Sequence, residues 1–111
     1  MKTLLVFTHL PDQPTAEALA KEIVNLRLAA CVNILPPCQS IYRWKGTVET
    51  ASEIPLLIKT TEAGYPALER AIRERHPYET PEIIALPVTH GLPAYLDWVA
   101  AETQTHDGSL Q

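Results

Sequence analysis

The sequence predicts an α+β fold, a ferredoxin-like βαββαβ sandwich. Its antiparallel sheet has strand order 4-1-3-2, with a long hairpin between strands two and three and a short C-terminal helix. Three observations carry this reading. Apolar, β-rich runs alternate with stretches of helical periodicity in that order along the chain. Lys45-Gly46 separates two long runs of β-formers, as a hairpin turn does. No repeat, linker or low-complexity segment interrupts the pattern. The 111 residues, 46% of them apolar, therefore suffice for one domain over 1–104, followed by a loose polar tail at 105–111.

Each element has a local reason. Lys2 to Thr8 is apolar and β-rich, and reads as a buried central strand. Asp12 is a good N-cap, Pro14 is tolerated in a first turn, and Ala16, Leu19, Ala20, Ile23 and Val24 make one helical face to about Arg27. A second strand spans Leu28 to Leu35, is interrupted by Pro36-Pro37, and resumes from Ser40 to Trp44. Its partner starts at Thr47, loosens at Ala51-Ser52 and continues to Lys59. Pro36, Pro37 and Pro55 lack a ladder donor, which places them at edges or bulges. Thr60-Thr61-Glu62 leads a second helix that begins near Gly64, carries Tyr65, Leu68, Ala71 and Ile72 inward, and stops at Pro77. A fourth strand is expected over Ile83 to Thr89. Pro93 opens a last helix with Tyr95, Leu96 and Val99 inward.

Composition excludes several classes of function. The formal net charge is −4 and no basic run occurs, so the electrostatic footprint of a nucleic-acid binder is missing. No apolar run approaches the ~20 residues that span a bilayer. The four apolar residues before Thr8 fit a first strand better than a signal start. Cys31 and Cys38 are too few for a disulfide framework and, on extended backbone, too far apart to pair; free thiols in a reducing cytoplasm are expected.

The stretch His76-Pro-Tyr-Glu-Thr-Pro-Glu82 packs an imidazole, a phenol and two carboxylates between two prolines, directly before a strand. Prolines stiffen such a loop, and rigid loops at a sheet end are where function concentrates. With strands one and three taken as parallel, His9, Cys31, Lys59 and the group His76, Tyr78 and Glu79 should gather at one end of the sheet, and His90 at the other. Such a gathering suits a transition-metal site or a small-molecule pocket with Lys59 facing an anion. Cys31 reads equally as a small buried hydrophobe, Lys59 as a strand end reaching water, and Tyr78 and Glu79 as hydrogen-bonding locks for the loop. Tyr42 and Trp44, far along the hairpin, call for a partner surface. No nucleophile elbow, phosphate-binding glycine loop or paired metal-ligand motif is present, so an enzyme is not expected. A ribbon that outruns its sheet leaves open edges, which a closed oligomer satisfies.

Four separated motifs then agree in register. They are Leu-Ala-Ala-Cys-Val-Asn at 28–33, Ser-Ile-Tyr-Arg-Trp-Lys-Gly at 40–46, Leu-Leu-Ile-Lys-Thr-Thr at 56–61, and His-Pro-Tyr-Glu-Thr-Pro-Glu-Ile at 76–83. Together they resemble the divalent-cation tolerance family, CutA, over residues 3 to 102. The resemblance implies a ferredoxin-like subunit in a tight homotrimer shaped like the PII signalling proteins. It implies a cytoplasmic location, no settled catalytic activity, and weak binding of a metal ion or small molecule at inter-subunit clefts. Cu²⁺ or another divalent cation is the implied ion, with no cofactor required. The alternative is a rigid PII-like interaction or signalling module without a metal role. The implied cleft residues are Cys31, Trp44, Lys59, Tyr78 and Glu79, with His76 as the metal ligand. Where copper-binding members carry a Cys near the end of strand one, this chain has Thr8. Where they carry a second His before His-Pro-Tyr, it has Arg75.

Overall fold

The computed structural model describes residues 2–103; the tail expected at 105–111 lies outside them. The elements are β1 (Thr3–Leu10), α1 (Gln13–Asn25), β2 (Cys31–Ile34), β3 (Cys38–Trp44), β4 (Thr47–Thr61), α2 (Tyr65–Arg75), β5 (Ile84–Pro87) and α3 (Pro93–Glu102). The main sheet runs β2-β4-β1-β5, with β3 paired to the outer half of β4. This is the expected order once the second predicted strand is divided at Leu35-Pro36-Pro37 into β2 and β3. Two prolines in succession cannot donate to a ladder, so the chain leaves the body there and restarts as the hairpin.

One expectation is corrected. β4 is antiparallel to both β1 and β2, so β1 and β2 share a direction and the first and third predicted strands are not parallel. The reason is topological: a crossover through a helix returns the chain in its original direction, and the strand inserted between β1 and β2 must oppose both. Two smaller differences concern β4. It passes through Ala51-Ser52 without loosening, because every residue from Thr47 to Glu53 has a partner in β3. Pro55 sits centrally rather than at an edge, opposite His9. Its carbonyl accepts from the Leu35 amide at 3.0 Å, so its absent N–H faces the place where β2 ends.

Helix boundaries follow local chemistry. The Asp12 carboxylate accepts from the Thr15 amide at 2.8 Å, and the Thr15 bonds hold the Asp12 carboxyl below the usual range. Arg27 ends the α1 segment at φ 61°, and its guanidinium donates to the Ala101 carbonyl at 2.6 Å, capping α3. Gly64 precedes α2, where a Cβ would lie 3.0 Å from Thr103 Cγ2 and 3.2 Å from Thr61 Oγ1. Only glycine lets these segments approach so closely.

Alternation along the strands divides the sheet into two faces. Val6, Leu10, Ile54, Leu56 and Ile58 point to one, where Leu19 and Ile23 of α1 and Leu68 and Ile72 of α2 cover them. The other face carries cross-strand rows: Leu86, Leu5, Lys59 and Cys31 in one, Ile84, Phe7, Leu57 and Asn33 in the next. On this second face Ile84 is 52% and Leu86 51% exposed. α3 contributes less than its spacing suggested: Val99 is buried but Tyr95 is exposed.

Candidate functional site

The corrected strand directions split the expected polar gathering into two. Lys59 pairs with Cys31 on one side and Leu5 on the other, at the end of the sheet where β1 begins. His9 pairs with Pro55, four residues back along β4. At the rise of an antiparallel strand that is roughly 13 Å. Within the chain Cys31 and Lys59 therefore do not join His9, His76, Tyr78 and Glu79. His90 stands near the start of β1, as expected, since the Val88 amide bonds to Thr3 O.

At the first location the Lys59 ammonium lies 3.8 Å from Cys31 Sγ and bonds to the Asn33 side-chain oxygen. Tyr95 stands beside the thiol. Burial first, and then Cys31, push its phenol above the ordinary range. Cys31 is half-buried and free, as is Cys38.

At the second, the 76–82 loop, the end of β1 and the β3–β4 hairpin enclose a cavity of about 640 Å³. That is the size of ordinary small-molecule pockets. Three aromatic side chains, Tyr42, Trp44 and Tyr78, and three carboxylates, Glu53, Glu79 and Glu82, line it, together with His9 and the smaller Ser40, Ile41 and Thr80. Of the expected site residues, Trp44, Tyr78 and Glu79 reach this cavity; Cys31 and Lys59 do not.

His76 stands behind the cavity and holds its wall. It is buried, and its Nε2–H donates to the His9 carbonyl at 2.7 Å while Nδ1 accepts from the Tyr78 amide at 3.2 Å. The imidazole thus fastens the Pro-flanked loop to β1, and packs against the Tyr78 ring at 4.8 Å between centroids. Burial lowers its pKa, which favours the neutral ring these two bonds require. Tyr78 in turn donates its hydroxyl to Glu53 Oε2 at 3.0 Å. Burial, then the Glu53 carboxylate, raises the phenol to about 12. His9 Nδ1 is buried and lies 3.4 Å from Glu82 Oε1, in ion-pair range but poorly aligned for a hydrogen bond.

Glu53 and Glu82 were not singled out by sequence reasoning. Glu53 was within reach of it: counting back from the Lys45-Gly46 turn pairs Cys38 with Glu53 and puts that carboxylate at the hairpin base. Glu82 was inside the quoted motif, but nothing in the sequence told it from Glu79.

The residues present are a poor match to the implied metal. Thr8 is buried on the core face with its hydroxyl unpartnered, and Arg75 bonds to Glu22 at 3.1 Å on the helix layer. Both His76 nitrogens are engaged. Among the described residues, no three His, Cys, Asp or Glu side chains converge to hold an ion. This donor set does not fit a tightly held transition metal.

Fold and site together define a small α+β protein with one sheet face covered by α1 and α2, a second face covered only in part by α3, and a cavity at the base of a projecting hairpin. The CutA1 divalent ion tolerance protein family matches over residues 4–102, and the chain belongs to it. Protein CutA of Mus musculus is 46% identical over 103 residues, covering 93% of this chain and 58% of that protein. The chain thus spans a little over half the length of the mouse relative. The divalent-cation tolerance protein CutA of Thermus thermophilus is 46% identical over 99 residues, 89% of this chain and 96% of that one. The solved Thermus structure superposes with TM-score 0.90 at 44% identity, over 92% of this chain and 99% of that one. A CutA from Nostoc described as PII-like, in its apo form, superposes with TM-score 0.86 at 37% identity, over 96% of this chain and all of the other.

The expected cytoplasmic location does not stand. An Archaeoglobus fulgidus structure, 32% identical with TM-score 0.88 over 92% of this chain and 99% of its own, is a periplasmic divalent cation tolerance protein. Membership of this family therefore does not place a chain in the cytoplasm. The family is named for ion tolerance and not for a catalysed reaction. Among the described residues no helix is long and apolar enough to cross a membrane.

Proposed function

We propose that the chain works as one domain and assembles as a homotrimer, and that clefts completed by neighbouring subunits bind a small ligand in the service of divalent-cation tolerance or signalling. The observation that carries this is the open sheet face. Leu5, Phe7, Leu57, Ile84 and Leu86 form an apolar surface that α1 and α2, on the opposite face, leave free. Large apolar surfaces of this kind mark interfaces. Along the hairpin the same face continues through Tyr42, 43% exposed, and Trp44, 41% exposed, and the ribbon offers strand edges to a neighbour. Trimeric state is what the family resemblance implies. Cys31 and Lys59 lie on this same face, so in an assembly they would meet groups of another copy; only then could the split site be rejoined.

A metal ion would have to draw donors from more than one subunit. The second reading, a PII-like interaction or signalling module with no metal role, is favoured by the commitment of both His76 nitrogens to the loop. Sedimentation equilibrium at low micromolar concentration tests the assembly. A trimer mass is expected for the chain and a smaller species for Leu86→Glu, with far-UV circular dichroism unchanged. A monomer in the unsubstituted protein refutes it. Equilibrium dialysis with Cu²⁺ separates the two readings. Saturable uptake that falls in folded His76→Ala supports the metal; uptake identical in both removes His76 as a ligand.

A further inference from the structure

We propose that the cavity at the hairpin base is a site for a small organic ammonium ion, an amine or a quaternary ammonium compound. The inference deepens the reading of a ligand-binding cleft and rests on it. Three aromatic rings, Tyr42, Trp44 and Tyr78, stand around the space with three carboxylates, Glu53, Glu79 and Glu82, and neither Lys nor Arg is among the lining residues. The lining therefore carries an excess of acidic groups, with His9 its one side chain of basic character.

The carboxylates are placed to act as a field and not as metal ligands. Glu53 is tied to the Tyr78 hydroxyl at 3.0 Å, and Glu82 faces His9 Nδ1 at 3.4 Å. Among the described residues no triad of donors converges. A metal ion needs several donors at bonding distance, whereas an organic cation needs only diffuse negative potential and aromatic faces. All three residues keep solvent access: Tyr42 is 43%, Trp44 41% and Tyr78 36% exposed. One of them already receives an ammonium. The chain's own Lys45 Nζ lies 5.6 Å from the centroid of the Trp44 ring. The cavity, at about 640 Å³, has room for such a ligand together with several waters.

The test uses the full chain carrying Trp98→Phe, so that Trp44 is the single tryptophan, excited beyond the absorption edge of the tyrosines. Choline is the probe, and dimethylbutanol, its neutral carbon isostere, is the control. Saturable change in Trp44 emission with choline is expected, with at least tenfold weaker binding of the isostere. Glu79→Gln, or Glu82→Gln should that variant fail to fold, is expected to weaken choline several-fold. Equal binding of the two compounds, no response to choline, or a choline affinity indifferent to the carboxylate variants overturns the inference. Sedimentation of the same sample keeps the parent reading separate. A trimer that ignores choline sinks the ammonium site alone, whereas a monomer sinks the cleft.

Discussion

Replacing His76 by Leu removes the clamp between the Pro-flanked loop and β1 while keeping a buried apolar side chain of similar bulk. The structure allows the cost to be worked out. The variant strands the His9 carbonyl, which accepts from Nε2 at 2.7 Å, and the Tyr78 amide, which donates to Nδ1 at 3.2 Å. A fully buried polar group left without its partner costs ~1–3 kcal/mol; these two bonds are only part-buried, so water can partner the stranded groups and the pair together should cost ~1–3 kcal/mol. The assay is urea unfolding followed by far-UV circular dichroism, with protomer concentration held fixed because assembly and folding are linked. Loss of the clamp should also free Tyr78, and a weakened Tyr78–Glu53 bond should shift the phenol's titration down from about 12 toward its ordinary value. If His76→Leu unfolds within ~0.5 kcal/mol of the parent and alters only Cu²⁺ uptake, the imidazole is a ligand and not a fastener, and the reasoning fails.

Three further outcomes are expected. Burial depresses the His76 pKa in the folded state, so its stabilising contribution is complete above the unfolded value of ~6.5 and is lost as pH falls toward the folded value. Unfolding midpoints should therefore decline as pH drops below that point, and His76→Leu should flatten this decline. Trp44→Ala should lower the assembled mass measured by size exclusion at low micromolar concentration; a mass unchanged from the parent's refutes a role for this ring in assembly. Ile58→Ala opens a space between β1, β2 and the helix layer at a fully buried position and should cost ~2–5 kcal/mol by urea unfolding.

Much of the fold was legible because its signals are local. Asp12 before a helical stripe, Pro66 and Pro77 bracketing α2, and Gly46 in the turn each fix a boundary by backbone chemistry alone. Sheet order followed from the handedness of crossovers. Strand direction required one more step of topology, and taking strands one and three as parallel moved Lys59 and Cys31 to the wrong end. The site was legible as a motif but not as a geometry. That Tyr78 and Glu79 reach a cavity while His76 turns inward depends on which side of the loop meets β1, and residue spacing does not encode this. Exposure of Tyr95 was missed for a related reason: helical spacing names an apolar stripe, but a short helix over a sheet end has little to bury it against.

The hairpin turn has an effect well beyond its own residues. Lys45 at φ 50° and Gly46 at φ 83° form a two-residue reversal that sets every pairing from Trp44–Thr47 to Cys38–Glu53. Adding or deleting one residue there would shift the ribbon by one step and turn alternate side chains to the opposite surface. Glu53 is held in place by the pairing of its neighbour Ile54 with Leu10, so β3 would be the strand that changes surface, and Tyr42 and Trp44 would leave the space they now border. The turn is thus a ruler for the cavity at the hairpin base. Natural length variation should be tolerated almost anywhere on this chain's surface before it is tolerated at that point.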